Sequence, residues 1–283
     1  MAQVAVVTDS VACLPDSIIK KYGIIVVPVA LAFDGQEGAP CVDPASFYQR
    51  LESSKRLPTT SPASPGVYLD AFKRMARESD AIVCVTISSK VSATYEAARN
   101  ARDMAKESLP GVSIEVVDSQ AAAMAQGFVT LAAARAAAEG GDLQTVAAAA
   151  NGIASRVYLL GVIDTFRYLV KSGRVPKVAG WAASMLQIKP ILQIHRGEIG
   201  LAARARTKSR ALRRMLELMK EHANSKPIHV SVVHANAPTE AEELRRQVNA
   251  EFQCAELYVS EFPPVMGVHT GPGLVGLAFY SEL

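Results

Sequence analysis

The sequence contains little cysteine and almost no net charge. Its 283 residues carry a formal charge of only +3, which is too small by itself to indicate a nucleic-acid partner. The four cysteines are scattered and show no CxxC spacing, and we find no signal peptide. These features predict reduced thiols in a cytoplasmic protein, with Cys84 serving as packing in an apolar strand. The cysteines are Cys13, Cys41, Cys84 and Cys254.

Several motifs of common enzyme classes are also missing. No HExxH, GxSxG or GxxxxGK[ST] occurs, so zinc proteases, nucleophile-elbow hydrolases and P-loop proteins lose their usual support. The five histidines indicate no metal site: His229 and His234 are five apart on a predicted strand and point to opposite faces. We therefore expect no metal and no cofactor.

No apolar run is long enough to span a bilayer. The most apolar helical stretch, from Ala121 to Ala134, lacks charge but includes Gln126, and it is shorter than the ~20 residues that a membrane span needs. It predicts a buried, alanine-rich core helix and no integral membrane segment.

What is present indicates an α/β protein of two domains. Apolar residues make up 49% and charged residues 20%, as in an ordinary soluble globular protein. The first half alternates strands and helices, which predicts a mostly parallel sheet covered by helices on both faces. The second half predicts a mixed α/β sheet, including a hairpin near Arg196-Gly197 and a basic helix from Ser209 to about Ala223. We place the boundary so that residues 1–155 form the N-terminal domain and 156–283 the C-terminal domain.

A glycine pattern near the C-terminus resembles a dinucleotide-binding fingerprint. Gly271-x-Gly273-x-x-Gly276 has the required spacing, but the following "LAFY" is strand-like, whereas the fingerprint needs a helix that opens at the last glycine. Pro272 indicates a rigid turn instead. We reject the nucleotide interpretation and predict that His269-Thr270 lies on this turn, where the histidine is structural, orients an anionic head group or changes its charge near neutral pH.

Hydroxyl groups concentrate where predicted strands end. Thr8-Asp9-Ser10, the segment from Thr86 to Ser92, and Asp118-Ser119 each follow a strand, and such ends share the carboxyl edge of a parallel sheet. Hydroxyls near a helix start suit a small anion, but helix capping by serine and threonine explains any single one of them. The hydroxyl-rich "LPTTSPASP" loop is a second candidate, or simply a proline-rich turn. The basic run from Arg204 to Arg214 predicts either a solvated helix face or a docking surface for an acidic partner or phosphate.

Six segments, in order, resemble the DegV family of bacterial fatty-acid-binding proteins, nearly end to end. They are "TDSVACLP", "TTSPASP", "ISSKVSATYEAA", "DTFRYLVKSGRV", "KPILQIHRGEI" with "ARTKSRAL", and "GVHTGPGLVG". The chain departs from the family pattern at three places. Pro62-Ala63 replaces the usual Gln-Pro, Ala93 replaces a glycine, and Ser172 replaces the first glycine before Gly173-Arg174.

The resemblance implies a carrier and no enzyme. A long-chain fatty acid such as palmitate, stearate or oleate would lie in a buried tunnel. A separate fatty acid kinase would phosphorylate its carboxylate with ATP, giving an acyl phosphate for phospholipid synthesis. The N-terminal domain would supply head-group loops, and the C-terminal domain the tunnel lid and the HTGPG motif.

The resemblance also implies roles for individual residues. Thr60 and Ser92 would bind the carboxylate, with Ser61 and the N–H of Ala93 close by. The residues that would frame the head group and face the kinase are Arg174, His269, Thr270 and Arg206. Two rival functions stay open: a lipid-sensing regulatory protein without a kinase partner, and a stand-alone phosphotransferase, which the missing P-loop and missing Asp cluster for Mg²⁺ disfavour.

Overall fold

The computed structural model of the chain describes residues 4–33, 36–37, 44–54, 56–173 and 188–282. In chain order the strands in these ranges are β1 (Val4–Asp9), β2 (Ile25–Val27), β3 (Ala30–Phe33), β4 (Gln36–Glu37), β5 (Thr59–Ser61), β6 (Ala81–Thr86), β7 (Ser113–Asp118), β8 (Tyr158–Val162), β9 (Lys189–His195), β10 (Glu198–Ala205), β11 (Ile228–His234), β12 (Cys254–Glu261) and β13 (Val275–Ser281). The helices are α1 (Asp16–Tyr22), α2 (Pro44–Ser53), α3 (Pro65–Met75), α4 (Thr94–Ser108), α5 (Ala123–Ala138), α6 (Leu143–Ala154), α7 (Arg167–Ser172), α8 (Lys208–Ala223), α9 (Pro238–Glu251) and α10 (Pro264–Thr270).

The chain divides into two compact units. The first comprises Met1–Ala30 and Ser61–Val157, and the second comprises Leu31–Thr60 and Tyr158–Leu283. The sequence predicts a single cut between residues 155 and 156, and it does not anticipate that residues 31–60 group with the second unit. The division into domains 1–155 and 156–283 stays a prediction.

The first unit contains a four-stranded parallel sheet in the order β2-β1-β6-β7. All six residues of the central strand β6 are buried, as expected for a parallel strand with helices on both faces. Helices α3 and α4 pack on the face that includes Ile82 and Cys84, and α5 and α6 contact the sheet as well. Cys84 is fully buried in this core, which confirms its predicted role in packing.

Helix α5 is the alanine-rich helix of the sequence prediction. Eleven of its residues are buried, because small alanine side chains let it lie close to α6 and the sheet. Two of its polar side chains reach the hydroxyl of Thr8 inside the unit: Gln126 donates its amide N–H to this hydroxyl at 3.2 Å, and the hydroxyl of Thr130 lies 3.2 Å from it. No helix in the described ranges has the length and apolar character needed to cross a bilayer.

The second unit contains a six-stranded mixed sheet in the order β10-β9-β8-β13-β11-β12. Strands β11 and β12 are parallel, and the other neighbours are antiparallel. The predicted hairpin is confirmed, because His195 pairs with Glu198 and the turn residues Arg196 and Gly197 have φ of 50° and 81°. Helix α8, predicted from Ser209, buries its apolar side on this sheet. One parallel and one mixed sheet confirm the predicted α/β fold class.

The glycine pattern near the C-terminus does not form a nucleotide fold. Gly276 lies inside β13, where an added Cβ would collide with the carbonyl oxygen of Leu160 on the neighbouring strand. No helix opens there, so rejecting the dinucleotide fingerprint is correct. The prediction that His269-Thr270 lies on the turn is wrong, since both residues close α10 and the turn begins at Gly271.

Candidate functional site

The carboxyl edge of the parallel sheet gathers the polar residues that the sequence places at strand ends. Asp9, Thr86 and Asp118 end the neighbouring strands β1, β6 and β7. The buried carboxylate of Asp9 accepts hydrogen bonds from the N–H of Val11 at 3.0 Å and of Ile87 at 2.9 Å. Loss of hydration in this buried position raises the pKa of Asp9 to about 6 despite these bonds. Asp9 therefore links the ends of β1 and β6 from within the core.

The hydroxyls after β6 have separate local roles. Ser89 donates its hydroxyl proton to Asp118 at 2.5 Å, which ties the β6 loop to the end of β7. The hydroxyl of Ser92 accepts the N–H of Thr94 at 3.2 Å and lies 2.7 Å from the Thr94 hydroxyl. Ser92 thus satisfies an N–H at the start of α4, as the capping interpretation predicts. When Thr94 donates its hydroxyl proton to Ser92, Ser92 donates its own proton to another acceptor.

Ala93 and Ser172 stand where the resembled family has glycine, and neither is strained. Ala93 is exposed, with φ of −76° at the start of α4, a conformation open to any L-residue. Ser172 is the last residue of α7 and donates its hydroxyl to the Leu169 carbonyl at 3.0 Å. The left-handed position, with φ of 68°, falls on the retained Gly173.

A hydroxyl–imidazole pair forms inside the second unit. The Oγ1 atom of Thr60 lies 3.1 Å from Nε2 of His269, although the two residues are 209 positions apart. Thr60 lies on β5, whose side chains alternate so that Thr59 and Ser61 are exposed and Thr60 is half-buried. His269 lies in the last turn of α10, also half-buried. The TTSPASP segment and the GVHTGPGLVG segment, which the sequence marks as separate candidates, therefore meet at this pair.

The end of α10 is fixed by glycine packing. Helix α10 contacts α2 and α7, and a side chain on Gly267 would collide with the ring of Tyr48. Gly271, at φ 72° and ψ 173°, donates its N–H to the Gly267 carbonyl at 2.8 Å and lies against the ring of Tyr168. This backbone conformation is open almost only to glycine. The close contacts and the glycine backbone hold His269 in a defined place.

The other predicted site residues have different settings. Thr270 is half-buried, and its hydroxyl lies 3.4 Å from the carbonyl of Met266 in the same helix and 3.3 Å from the carbonyl of Gly271 in the turn. Arg206 is exposed between β10 and α8, on a groove that Arg204, Arg210 and Arg213 also line. Arg174 lies outside the described residues.

One group of charged side chains next to the glycine turn was missed by the sequence analysis. Asp164, Lys189, Lys208 and Glu240 form a chain of ion pairs. Asp164 and Lys208 both lie inside the family-like segments DTFRYLVKSGRV and ARTKSRAL, but nothing in a basic run distinguishes a paired lysine from a solvated one. Among the described residues, no three His, Cys, Asp or Glu side chains come together as a metal site requires.

The four-stranded parallel sheet and the six-stranded mixed sheet, with the small β4-β3-β5 sheet and the helices, define an α/β protein of two units. The family model that matches residues 3–282 carries the description "uncharacterised protein, DegV family". The chain belongs to the DegV family.

Relatives and solved structures agree with this assignment. A DegV domain-containing protein of Streptomyces coelicolor is 35% identical over 285 residues, and one of Clostridium perfringens is 33% identical over 281 residues, with 99% of each chain covered in both comparisons. The structure of a DegV family protein from Thermus thermophilus, described by its fatty acid binding, matches with a TM-score of 0.91 and 27% identity. That of DegV from Bacillus subtilis, described as a fatty acid binding protein, matches with a TM-score of 0.89 and 27% identity. Both cover 100% of each chain.

Proposed function

We propose that this protein binds a long-chain fatty acid in a buried tunnel and presents the carboxylate to a separate kinase, which forms the acyl phosphate with ATP. The observation that carries the proposal is the Thr60–His269 pair, in which a hydroxyl and an imidazole from two distant segments meet at 3.1 Å. The fatty acid binding described for the Thermus thermophilus and Bacillus subtilis relatives supports the choice of ligand.

The pair can act as a donor relay toward an anion. When His269 carries its proton on Nε2, it donates to Oγ1 of Thr60, and Thr60 then directs its own proton to another acceptor. A carboxylate is such an acceptor, and a donor that is itself hydrogen-bonded is polarised toward it. The relay binds the carboxylate without placing a full positive charge on it. Its oxygen thus stays nucleophilic enough to attack a phosphoryl group.

The acyl tail supplies most of the affinity. Each buried methylene group contributes ~0.8 kcal/mol, so a chain of sixteen or eighteen carbons binds through its tail even when the head group is held loosely. The head group still needs hydrogen bonds, because a buried carboxylate without partners is costly. Because the tail supplies the affinity, the carboxylate end stays available for reaction with the kinase.

The remaining head-group roles stay predictions from the family resemblance. Ser92, the N–H of Ala93 and Ser61 are proposed as further residues for the fatty-acid carboxylate. The Ser92–Thr94 contact is compatible with this when Thr94 is the donor, because Ser92 then keeps its own proton for the carboxylate. Arg174, Arg206 and Thr270 are proposed to face the phosphate or the kinase. For Thr270 that role requires its hydroxyl to leave the Met266 and Gly271 carbonyls.

Two alternatives make different predictions. A lipid-sensing regulator would bind the fatty acid but would not depend on a kinase. A stand-alone phosphotransferase would hydrolyse or transfer phosphate from ATP as the purified chain alone. We favour the carrier because the hydroxyl–imidazole pair suits a carboxylate, and because the sequence lacks a P-loop.

The protein is expected to co-purify with a long-chain fatty acid. Organic extraction followed by mass spectrometry should release a C16 or C18 acid in near-stoichiometric amount, since a mostly buried tail dissociates slowly. Delipidated protein should bind oleate again in a titration. An extract without lipid, together with no binding of added palmitate or oleate, would remove the basis of the proposal.

The Thr60→Ala variant is expected to weaken oleate binding by roughly ten-fold. A hydrogen bond to a charged acceptor contributes ~1.5–3 kcal/mol, and the buried tail recovers none of it. Thr60→Ser keeps the hydroxyl and should bind oleate like the wild type. Thr59→Ala, at the exposed neighbouring position on β5, is the matched control and should also leave affinity unchanged.

The Ser92→Ala variant separates ligand binding from capping. If Ser92 binds the carboxylate, oleate affinity falls together with a loss of ~1 kcal/mol in stability from the lost contact with the Thr94 N–H. A loss of stability with unchanged affinity would leave capping as the only role of Ser92. If Thr60→Ala, Ser92→Ala and the double variant Thr60→Ala/Ser92→Ala all bind oleate like the wild type, the head-group assignment is wrong.

A further inference from the structure

Lys208 lies at the start of α8 and is bound to the glycine turn that follows His269. Its ammonium group donates to the Gly273 carbonyl at 2.7 Å, to Glu240 at 2.6 Å and to Asp164 at 3.3 Å. An ammonium group has three protons, so these three acceptors use all of them. The side chain is only 17% exposed, which separates it from the solvated basic residues around it.

The charge of Lys208 is neutralised within the cluster. Asp164 also pairs with Lys189 at 2.7 Å, so two ammonium groups stand against the carboxylates of Asp164 and Glu240. A balanced group of this kind contributes little net field to a ligand several residues away. The function of Lys208 therefore lies in what it holds in place.

What Lys208 holds is the backbone of Gly273. This residue has φ of 84°, and its Cα lies so close to the Asp164 carboxylate that an added Cβ would collide with it. Its N–H donates to the Ala235 carbonyl at 2.7 Å, and its own carbonyl accepts from Lys208. Lys208 and Asp164 thus clamp one side of the turn, while Gly271 closes α10 on the other.

We propose that Lys208 is a positioning residue that fixes the imidazole of His269 against Thr60 by clamping Gly273. The expected effect on the rate of acyl-phosphate formation rests on the proposed function. The position of the His269 ring depends only on contacts within the second unit. Without the clamp, the turn shifts and the last turn of α10 moves with it. A displacement of about 1 Å in a group near the reacting atoms costs roughly 10²-fold in rate.

The test compares Lys208→Met with the matched control Lys189→Met. Methionine keeps the length and packing of the stem but donates nothing, and Lys189 shares Asp164 without touching Gly273 in any contact of the described residues. With histidine-labelled protein, NMR gives the ring signals and the pKa of His269, and oleate occupancy is measured on the same samples. The rate of acyl-phosphate formation is then measured on oleate-loaded protein with the fatty acid kinase of the source organism and MgATP.

Lys208→Met is expected to shift the His269 ring signals, to retain oleate, and to lose roughly ten- to a hundred-fold in acyl-phosphate rate. Lys189→Met should match the wild type in all three measurements. His269 signals in Lys208→Met that superimpose on those of the wild type would overturn the inference. If the wild type neither binds oleate nor forms acyl phosphate, the proposed function fails, and the NMR comparison still decides the positional role.

Glu240→Gln provides a second, milder variant if Lys208→Met does not fold. It loosens Lys208 while removing a negative charge, the opposite of the charge change in Lys208→Met. Loss of positioning lowers the transfer rate in Glu240→Gln as well, and a wild-type rate together with wild-type His269 ring signals in this variant alone would overturn the proposal. Where both variants fold, opposite shifts in the pKa of His269 with unchanged rates would show a purely electrostatic influence and would also overturn the proposal.

Discussion

His269→Ala is expected to load with fatty acid normally and to lose roughly 10²–10³-fold in acyl-phosphate formation. The acyl phosphate carries more negative charge than the carboxylate it replaces, so a donor near the head group contributes most as that charge develops. Fatty acid binding persists because Thr60 retains its own proton for the carboxylate and the tail supplies most of the affinity. The measurement is a coupled assay with the kinase and ATP on protein that has been pre-loaded with oleate, with occupancy determined in parallel.

Two further variants sharpen this result. His269→Gln keeps an N–H that can reach Thr60 but cannot become positively charged, so it separates hydrogen bonding from charge. Arg174→Ala is expected to give the same phenotype as His269→Ala, since an arginine fork also gains as phosphate charge accumulates. Normal turnover in both alanine variants would contradict the assignment. Loss of oleate occupancy would instead place His269 among the residues that bind the carboxylate.

Gly271→Ala is expected to destabilise the second unit by about 3 kcal/mol and to reproduce the kinetic defect of His269→Ala. The backbone at φ 72° and ψ 173° is open almost only to glycine, and forcing alanine into it costs ~1–3 kcal/mol. The added Cβ would also collide with the ring of Tyr168, so that either the ring or the end of α10 must move. Denaturant unfolding and the coupled assay measure the two effects.

The control for this variant is Gly200→Ala on β10 of the same unit. A Cβ at Gly200 would lie in ordinary van der Waals contact with Gln193, and its backbone needs no positive φ. We expect stability and turnover close to the wild type. If Gly271→Ala is as stable and as active as Gly200→Ala, the glycine does not fix His269.

Local sequence signals were sufficient for much of the first unit. The strand ends at Asp9, Thr86 and Asp118 were predicted to share an edge, and the structure places them on neighbouring parallel strands. The prediction of these strand ends succeeded because parallel strands that are covered on both faces have short apolar sequences, and the helices between them carry clear stop signals. The alanine-rich α5 was predicted for the same reason: its lack of charge is visible without knowledge of its neighbours.

The second unit depends on contacts between distant segments, which local signals do not reveal. The Thr60–His269 contact and the packing of Tyr48 on Gly267 each join residues more than 200 positions apart. Residues 31–60 group with the second unit through such contacts, so a single domain cut could not represent them.

The short helix α10 was overlooked for a different reason. Pro264 at its start and Gly271 after its end are ordinary helix signals. The glycine-rich sequence that follows indicates a turn, and the predicted turn was extended back over His269 and Thr270.

The position of β13 has a consequence for synthesis of the chain. Strand β13 lies between β8 and β11 and is the last strand of the sheet to be made. Until residues 275–281 emerge from the ribosome, β10-β9-β8 and β11-β12 are two separate pieces, each with an open edge that can pair with other chains. At 5–20 residues per second, the interval from Tyr158 to Ser281 lasts on the order of ten seconds. The strands of the nascent second unit therefore expose these edges during that interval, whereas the first unit already has its last residue at Val157.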